Sequence, residues 1–422
     1  MTPKKGSIFI QIASYRDPEI RNTLKDLLEN AYNPDRLKIC IAWQNNKKDL
    51  VDNIEDYKKD PRFKILDIDY KKAKGVCWAR NLIQQEYNGE DYTLQLDSHH
   101  RFIKNWDKEL IEMLIQLQDK GHNKPLITGY IPSYNPEKDP EDRVQVPWKM
   151  NFDRFTPEGV VFFLPATIEN HEKLTEPIPS RFYSAHFAFT LGKFCKEVQH
   201  DPDYYFHGEE IAIAVRAFTS GYDLFHPHKI IAWHEYTRNN RVKQWDDDPI
   251  WHERNQKTFY RLRGLLGTDG KVCSPCMLKT LKPYILGEER TLKDYEKYAG
   301  IRFSDRGIQK YTTDNKLPPN PPADEYRNPY QNSFRHCIDI HKNDLQEKDY
   351  DFWAIIFQDA AGHELFRKDA DKKEIEILLN NDTDWVNIWR EYNGIPAYKW
   401  IFWPHSASKG WLTPIEEIIG LK

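Results

Sequence analysis

No apolar run in the 422 residues approaches the roughly 20 that a bilayer-spanning helix needs. The N-terminal stretch "MTPKKGSIFIQIASYRD" enters a short apolar segment with neither the apolar core nor the cleavage site of a secretory signal. Cysteine is sparse. Six are scattered at positions 40, 77, 195, 273, 276 and 337, which is no disulfide framework and points to a reducing cytoplasm. The one close pair, in "KVCSPCMLK", lacks the two further ligands of a zinc site and reads as ordinary loop cysteines. An excess of positive charge is missing too. Lys and Arg total 61 against 65 Asp and Glu, a net charge of −4, so nothing electrostatic argues for nucleic-acid binding. Hydrophobic residues make up only 39%, yet 14% of the chain is aromatic. The 23 Tyr and 13 Trp suit a core rich in rings and equally a surface on which sugars stack.

At this length two domains are expected. Over the first 130 residues strand and helix signals alternate. "SIFIQIAS", "LKICIAW", "FKILDID", "YTLQLD" and "PLITGY" are short β-rich runs. Between them lie the helical patterns "DPEIRNTLKDLLENA", opened by Asp17 as cap and Pro18 at its first position, "GVCWARNLIQQEY" and "NWDKELIEMLIQLQDKG". That alternation predicts βαβ units and a parallel sheet. Residues 131–185 read as long loops around one strand, "GVVFFLPA". "HGEEIAIAVRAFTSGY" and "HERNQKTFYRLRGLLG" are further helices. The two Pro-Pro pairs in "TTDNKLPPNPPADEYRNPYQ" mark a linker. The short aromatic strands after it suggest a small β-sandwich. The division expected is a first domain over 1–310, a Pro-rich linker over 311–345 and the sandwich over 346–422.

In an open α/β sheet, ligands gather at the carboxyl ends of the strands. Ser14, Tyr15, Arg16, Gln44 and the run Asp97-Ser98-His99 all fall at such ends. In an extended chain residues i and i+2 share a side, so Asp97 and His99 present one carboxylate and one imidazole together, half a metal site. Ordinary turn capping is the alternative. "IIAWHEY" delivers another imidazole, His234, at a strand end. His226 and His228, earlier in the same segment, compete with it. Lys74 and Arg80 flank Gly75 at a helix start and can cradle a diphosphate. Glu209 and Glu210 open a helix, where the dipole alone favours acids and where a carboxylate can also reach a sugar hydroxyl.

In this order the motifs resemble those of GT-A glycosyltransferases, with a Rossmann-like nucleotide half followed by an acceptor half. They look specifically like the GlcNAc-transferase family related to the Skp1-hydroxyproline N-acetylglucosaminyltransferases. The polypeptide GalNAc-transferases are more distantly similar. The likeness rests on "FIQIASYRDPEIRNTLKDLLENAYNPDRLKICIAWQ", "GVCWARN", "LQLDSHHRFIKNWD", "RFYSAHFAF", "HGEEIAIAVRAFTSGYDLFHP" and "ERTLKDYEKYAGI", over roughly residues 7–300. It implies that Asp97 and His99 form an Asp-x-His motif, that His234 is the third protein ligand of a divalent ion, Mn²⁺ before Mg²⁺, and that Arg80 faces the diphosphate. Glu209 and Glu210 would border the transferred sugar. The GalNAc enzymes carry Gly-Glu-Asn where this chain has Gly208-Glu209-Glu210, which weakens the transfer of a role to Glu210. They also end in a lectin trefoil, for which the segment after residue 345 is too short.

The reaction implied is transfer of N-acetylglucosamine from UDP-GlcNAc to a hydroxyl of a protein or glycan, with retention. Two other readings use the same residues: a carbohydrate-binding protein with an inactive transferase half, and a metallohydrolase of nucleotide sugars.

Overall fold

The computed structural model describes residues 6–156, 158–237, 241–271, 274–322, 325–328, 333–345, 347–381, 383–393 and 396–419, and divides the chain into units at Arg327/Asn328. Cys273 and the side chain of Cys276 lie outside the described residues, and the Cys-x-x-C pair with them.

The first unit is α/β. Strand β1 (Ile8–Tyr15) pairs in parallel with β2 (Leu37–Asn45), which pairs in parallel with β3 (Phe63–Asp69). The chain then returns to the other side of β1, where β4 (Tyr92–Asp97) pairs in parallel with Ala13 opposite Asp97. This reversal makes the carboxyl ends of β1 and β4 the switch point of the sheet, where a crevice opens. Strand β1 reads Ile-Phe-Ile-Gln-Ile because both of its faces are covered. Ile8, Ile10 and Ile12 pack with helix α1 (Ile20–Asn30), whose Ile20, Leu24 and Leu27 recur at helical spacing. Phe9 packs on the opposite face with Ala79 and Ile83 of α2 (Val76–Gln84).

Strands β1 to β4 run parallel, as the alternation predicts, and a later strand makes the sheet mixed. After the ribbon strand β5 (His100–Phe102), helix α3 (Trp106–Asp119), β6 (Pro125–Thr128), the hairpin β7 (Trp148–Phe155) with β8 (Val161–Thr167), and the short β9 (Ile178–Pro179) comes β10 (Phe187–Leu191). Strand β10 inserts antiparallel between β4 and β6, so the eight-stranded sheet is mixed. "FAFTL" is short, and nothing local sets its direction. Helix α4 (Phe194–Glu197), helix α5 (Glu209–Thr219), β11 (Asp223–His226), β12 (Ala232–His234), α6 (Gln244–Asp247) and α7 (Trp251–Leu266) follow. Helix α1 begins at Ile20 and not at Pro18. The Asp17 side chain accepts one hydrogen bond from the Glu19 amide, and its other oxygen turns elsewhere.

The domain boundaries also move. Residues 311–327 are tied into the first unit. Buried Asn320 accepts from Arg181 Nη2 (2.6 Å) and donates to Gln309 Oε1 (2.7 Å) and Thr312 Oγ1 (2.9 Å), and Arg327 bridges Ile308. A strand, Ser333–His341, lies where the sequence reads as linker. In the second unit it pairs antiparallel with Trp385–Asn393, while Tyr350–Gln358 and Lys399–Ser406 anchor a six-stranded sheet. Ile338, Ile340, Trp353, Phe357, Val386, Ile388 and Phe402 share one core, which Ile375 of the helix Lys372–Leu379 joins. That helix has no place in the sandwich read from the sequence. Among the described residues no helix is long and apolar enough to cross a membrane.

Candidate active site

Strand β4 ends at Asp97, and the chain bends at Ser98–His99 before β5 begins. The strict alternation assumed for an extended chain therefore fails, since Ser98 and His99 both reach Asp17. The ribbon supplies the missing imidazole. Strand β12 runs antiparallel to β5 with His234 opposite His100, and the Glu235 amide donates to the His99 carbonyl at 3.2 Å. Asp97, His99 and His234 each offer one ligand atom, all within 4.8 Å of one another, and could hold a metal ion. His99 Nε2 is 3.8 Å and His234 Nε2 3.5 Å from Asp97 Oδ2.

The donor chemistry fits a divalent cation. Both ring nitrogens of His234 are buried without a formed hydrogen bond, an unusual state for an imidazole. Burial, then the neighbouring His186, holds its pKa well below the usual value, so it is neutral and offers a lone pair. His99 places Nδ1 2.7 Å from Asp17 Oδ2, and an Nδ1–H donated there leaves the Nε2 lone pair facing Asp97. Asp17 also accepts from Ser98 Oγ (2.7 Å) and Arg241 Nη1 (2.8 Å). Burial would raise its pKa, but His99, Arg241 and Ser98 override that and keep it ionised. Arg241 Nη1 also lies against His99 Nδ1 and 3.2 Å from its Nε2. Burial likewise acts to raise Asp97, while His234 and Arg80 hold it well below the ordinary carboxylate value.

The competing histidines are elsewhere. His226 spends Nδ1 on the Thr128 carbonyl (3.0 Å) and Nε2 on the Met150 amide (3.3 Å), and neither it nor His228 is in the cluster.

Asp97 lines two cavities. The smaller, about 130 Å³, is walled by Tyr15, Asp17, Gly75, Ser98, His99, Arg241 and Trp245. Gly75 sits at φ +112°, and a Cβ there would come 2.6 Å from the Tyr205 carbonyl oxygen, so only glycine fits. The larger cavity, about 870 Å³, is bordered by Arg80, Glu209, Glu210, His186, His234 and a wall of aromatic rings.

The other residues expected at the nucleotide are placed differently. Ser14 and Gln44 are buried and line neither cavity. Arg16 is committed to Asp49 and Asp247, both at 2.7 Å, and the Tyr15 hydroxyl donates to Asp247 at the same distance. Lys74 is exposed, 5.9 Å from the Trp78 ring. Arg80, expected to face diphosphate, is 3% exposed and bridges Asp97 Oδ1 (2.9 Å) and Glu209 Oε1 (3.3 Å). Reading the sequence missed Asp17 as the partner of His99, together with Arg241, His186 and Tyr130. Asp17 carried a signal, lying two residues beyond a strand end, but it was assigned to helix capping.

Glu209 opens α5 after Gly208, whose φ of +97° turns the chain into the helix. Glu210 accepts from the Ala185 amide (2.8 Å) and the Tyr130 hydroxyl (3.1 Å). Burial raises both carboxyl pKa values well above the ordinary range; Arg80 opposes this in each case, and their mutual proximity adds to it for Glu209. Between the ordinary carboxylate range and neutrality the native state therefore holds protons that the unfolded chain has lost. Stability contributed below that window falls as pH rises through it, by about 1.4 kcal/mol per pH unit for each whole proton. Melting curves from about pH 5 to about pH 8 should slope less for Glu210→Gln than for the unaltered protein. An equal slope would place the proton uptake elsewhere.

No curated protein matches the chain. Among solved structures it is similar to GalNAc-T7 with UDP, GalNAc and Mn²⁺, at 14% identity and a TM-score of 0.49, over 69% of this chain and 56% of that one. The match thus spans little more than half the length of GalNAc-T7. It is similar also to S. aureus TarS 1–349 in complex with UDP-GlcNAc, at 13% identity and a TM-score of 0.35, over 63% of this chain and 76% of that one. For S. aureus TarS the values are 10% identity and a TM-score of 0.36, over 98% and 86%. The model of the family Glycosyltransferase (GlcNAc) matches residues 7–61 and 59–305, well over half of the chain and all three residues of the cluster. The chain belongs to that family.

Proposed function

We propose that this protein is a glycosyltransferase that moves N-acetylglucosamine from UDP-GlcNAc to a hydroxyl acceptor, with a divalent ion, Mn²⁺ by the mixed donor set, held by Asp97, His99 and His234. The observation that carries the reading is the convergence of these three side chains at the switch point of a GT-A-like sheet, between a small cleft and a large cavity. Bound there, the ion would neutralise charge on the departing UDP. The smaller cleft receives the nucleotide, with Tyr15, Gly75 and Ser98 at its wall. The larger cavity receives the sugar and the acceptor.

Each residue has a bounded task. Asp17 fixes the tautomer and angle of His99. Arg241 has to leave His99 Nε2 before that nitrogen can ligate. Arg80 holds Asp97 and Glu209 in register. Glu209 and Glu210 accept hydroxyl hydrogen bonds from the sugar or the incoming acceptor. Retention is taken from the family resemblance. It requires the acceptor to attack on the face from which UDP leaves, with a UDP oxygen taking the proton.

Incubating the full chain with labelled UDP-GlcNAc, Mn²⁺ and hydroxyl acceptors should give labelled product, and a chelator should stop it. Transfer at full rate in the chelator would refute the metal-dependent reading. Asp17→Asn should lower Mn²⁺ affinity about 10–100-fold, the usual effect of losing a carboxylate that orients a ligating histidine. Unchanged affinity in calorimetry would show that His99 needs no such support.

A further inference from the structure

We infer that the acceptor is a neutral carbohydrate, taken in the 870 Å³ cavity beyond the Asp97 cluster; this rests on the transfer reading above. Three observations carry it.

The first is the wall. Trp148, Phe162, Phe163, Tyr205, Phe206 and Trp251 line the cavity with aromatic rings. Ring faces suit the C–H face of a pyranose, which is apolar in its middle and polar at its rim.

The second is charge. Among the described residues, the Asp, Glu, Arg and Lys side chains lining the cavity are Asp97, Glu209, Glu210 and Arg80. Arg80 is spent, with one terminal nitrogen on Asp97 and the other on Glu209. A phosphate or sulfate on the acceptor would therefore meet the ionised Asp97 and, among the described residues, no uncommitted cation, in a partly desolvated space where like charges repel most strongly. Anionic polymers are selected against.

The third is the polarity of the hydrogen bonds on offer. Glu209 and Glu210 line the cavity, and each carboxyl offers an acceptor oxygen whether or not it carries a proton. Sugar hydroxyls are donors that match it. The volume lies toward the upper end of ligand pockets and exceeds what one transferred sugar fills, leaving room for a further ring of the acceptor.

In the step, an acceptor hydroxyl oxygen bonds to the anomeric carbon. The bond from that carbon to the UDP oxygen breaks with its electron pair on UDP, and the acceptor proton goes to UDP.

The test uses the full chain with Mn²⁺ and labelled UDP-GlcNAc against three acceptor sets. These are neutral oligosaccharides, the same sugars bearing sulfate or phosphate, and peptides bearing Ser, Thr or hydroxyproline. Neutral sugars should be labelled, with kcat/KM at least about tenfold above both other sets, on the scale of one lost or repelled contact. Trp251 is 41% exposed at the start of α7, so its removal costs the fold little. Trp251→Ala should raise the KM for the neutral acceptor about tenfold while UDP binds with unaltered affinity in calorimetry. Equal or better use of the charged sugars or the peptides would overturn the inference. So would bound UDP-GlcNAc with no transfer to any neutral sugar. Failure to bind UDP-GlcNAc at all would instead refute the transfer reading beneath it.

Discussion

His234→Ala should abolish measurable transfer and weaken Mn²⁺ binding by more than about 100-fold. Losing only the residue that orients a ligand already costs about 10–100-fold, and this change removes the ligand itself. Asp97 and His99 come from one bend and leave one side of the cluster open, and His234 closes it from a second segment. Its two ring nitrogens lack formed hydrogen bonds, so the imidazole does little for the fold through polar contacts. It does pack, with ring centroids 4.2 Å from His186 and 4.3 Å from Tyr236, so alanine also leaves a small void. His234→Gln refills most of that space and separates the two effects. Both variants should bind the ion poorly, and glutamine should melt closer to the unaltered protein. Full Mn²⁺-dependent transfer in either one would show that some other residue completes the cluster.

Arg80→Met should destabilise the first unit by about 3–5 kcal/mol, the usual result of removing one partner from a buried ionic group. In a unit of this size that lowers the melting temperature by roughly 10 °C. The guanidinium joins Asp97 to Glu209 and is 3% exposed, so its loss strands two carboxylates in a poorly solvated place. Arg80→Lys should recover only part of the stability, because an ammonium is a point donor and cannot fork between two acceptors. Adding Glu209→Gln to Arg80→Met should restore part of the loss by removing one stranded charge. If the double variant melts below the single one, the pairing of Arg80 with Glu209 is not what stabilises this region. Calorimetric titration with UDP tests the separate expectation that Arg80 meets the diphosphate, since a direct contact would cost about 1.5–3 kcal/mol of binding.

The sequence by itself determined the alternation of strands and helices at the start of the chain. Runs such as "IFIQI" and "LKICIAW" are apolar on both sides, and only a sheet covered on both faces accommodates them. It set Asp97 and His99 side by side at a strand end, with turn capping as the alternative, and the bend there keeps their ligand atoms close together. It singled out His234 through resemblance and not through geometry. No spacing along the chain connects residue 99 to residue 234. Only the antiparallel pairing of β12 with β5 does, and such pairings depend on contacts far apart in sequence.

The tertiary structure alone decided the rest, for related reasons. Asp17 looks like a helix cap until the bend at Ser98–His99 brings an imidazole to it. Arg80 looks like a phosphate ligand because it lies on a helix that starts at a glycine. The helix packs on β1 and β2, and Arg80 on it reaches two carboxylates. Proline-rich residues read as linker until Asn320 is seen to be buried and fully hydrogen-bonded. Local pattern reports which face of an element is apolar. Which distant side chain satisfies a buried charge is settled only when the elements meet, because desolvation makes each such pairing costly to omit.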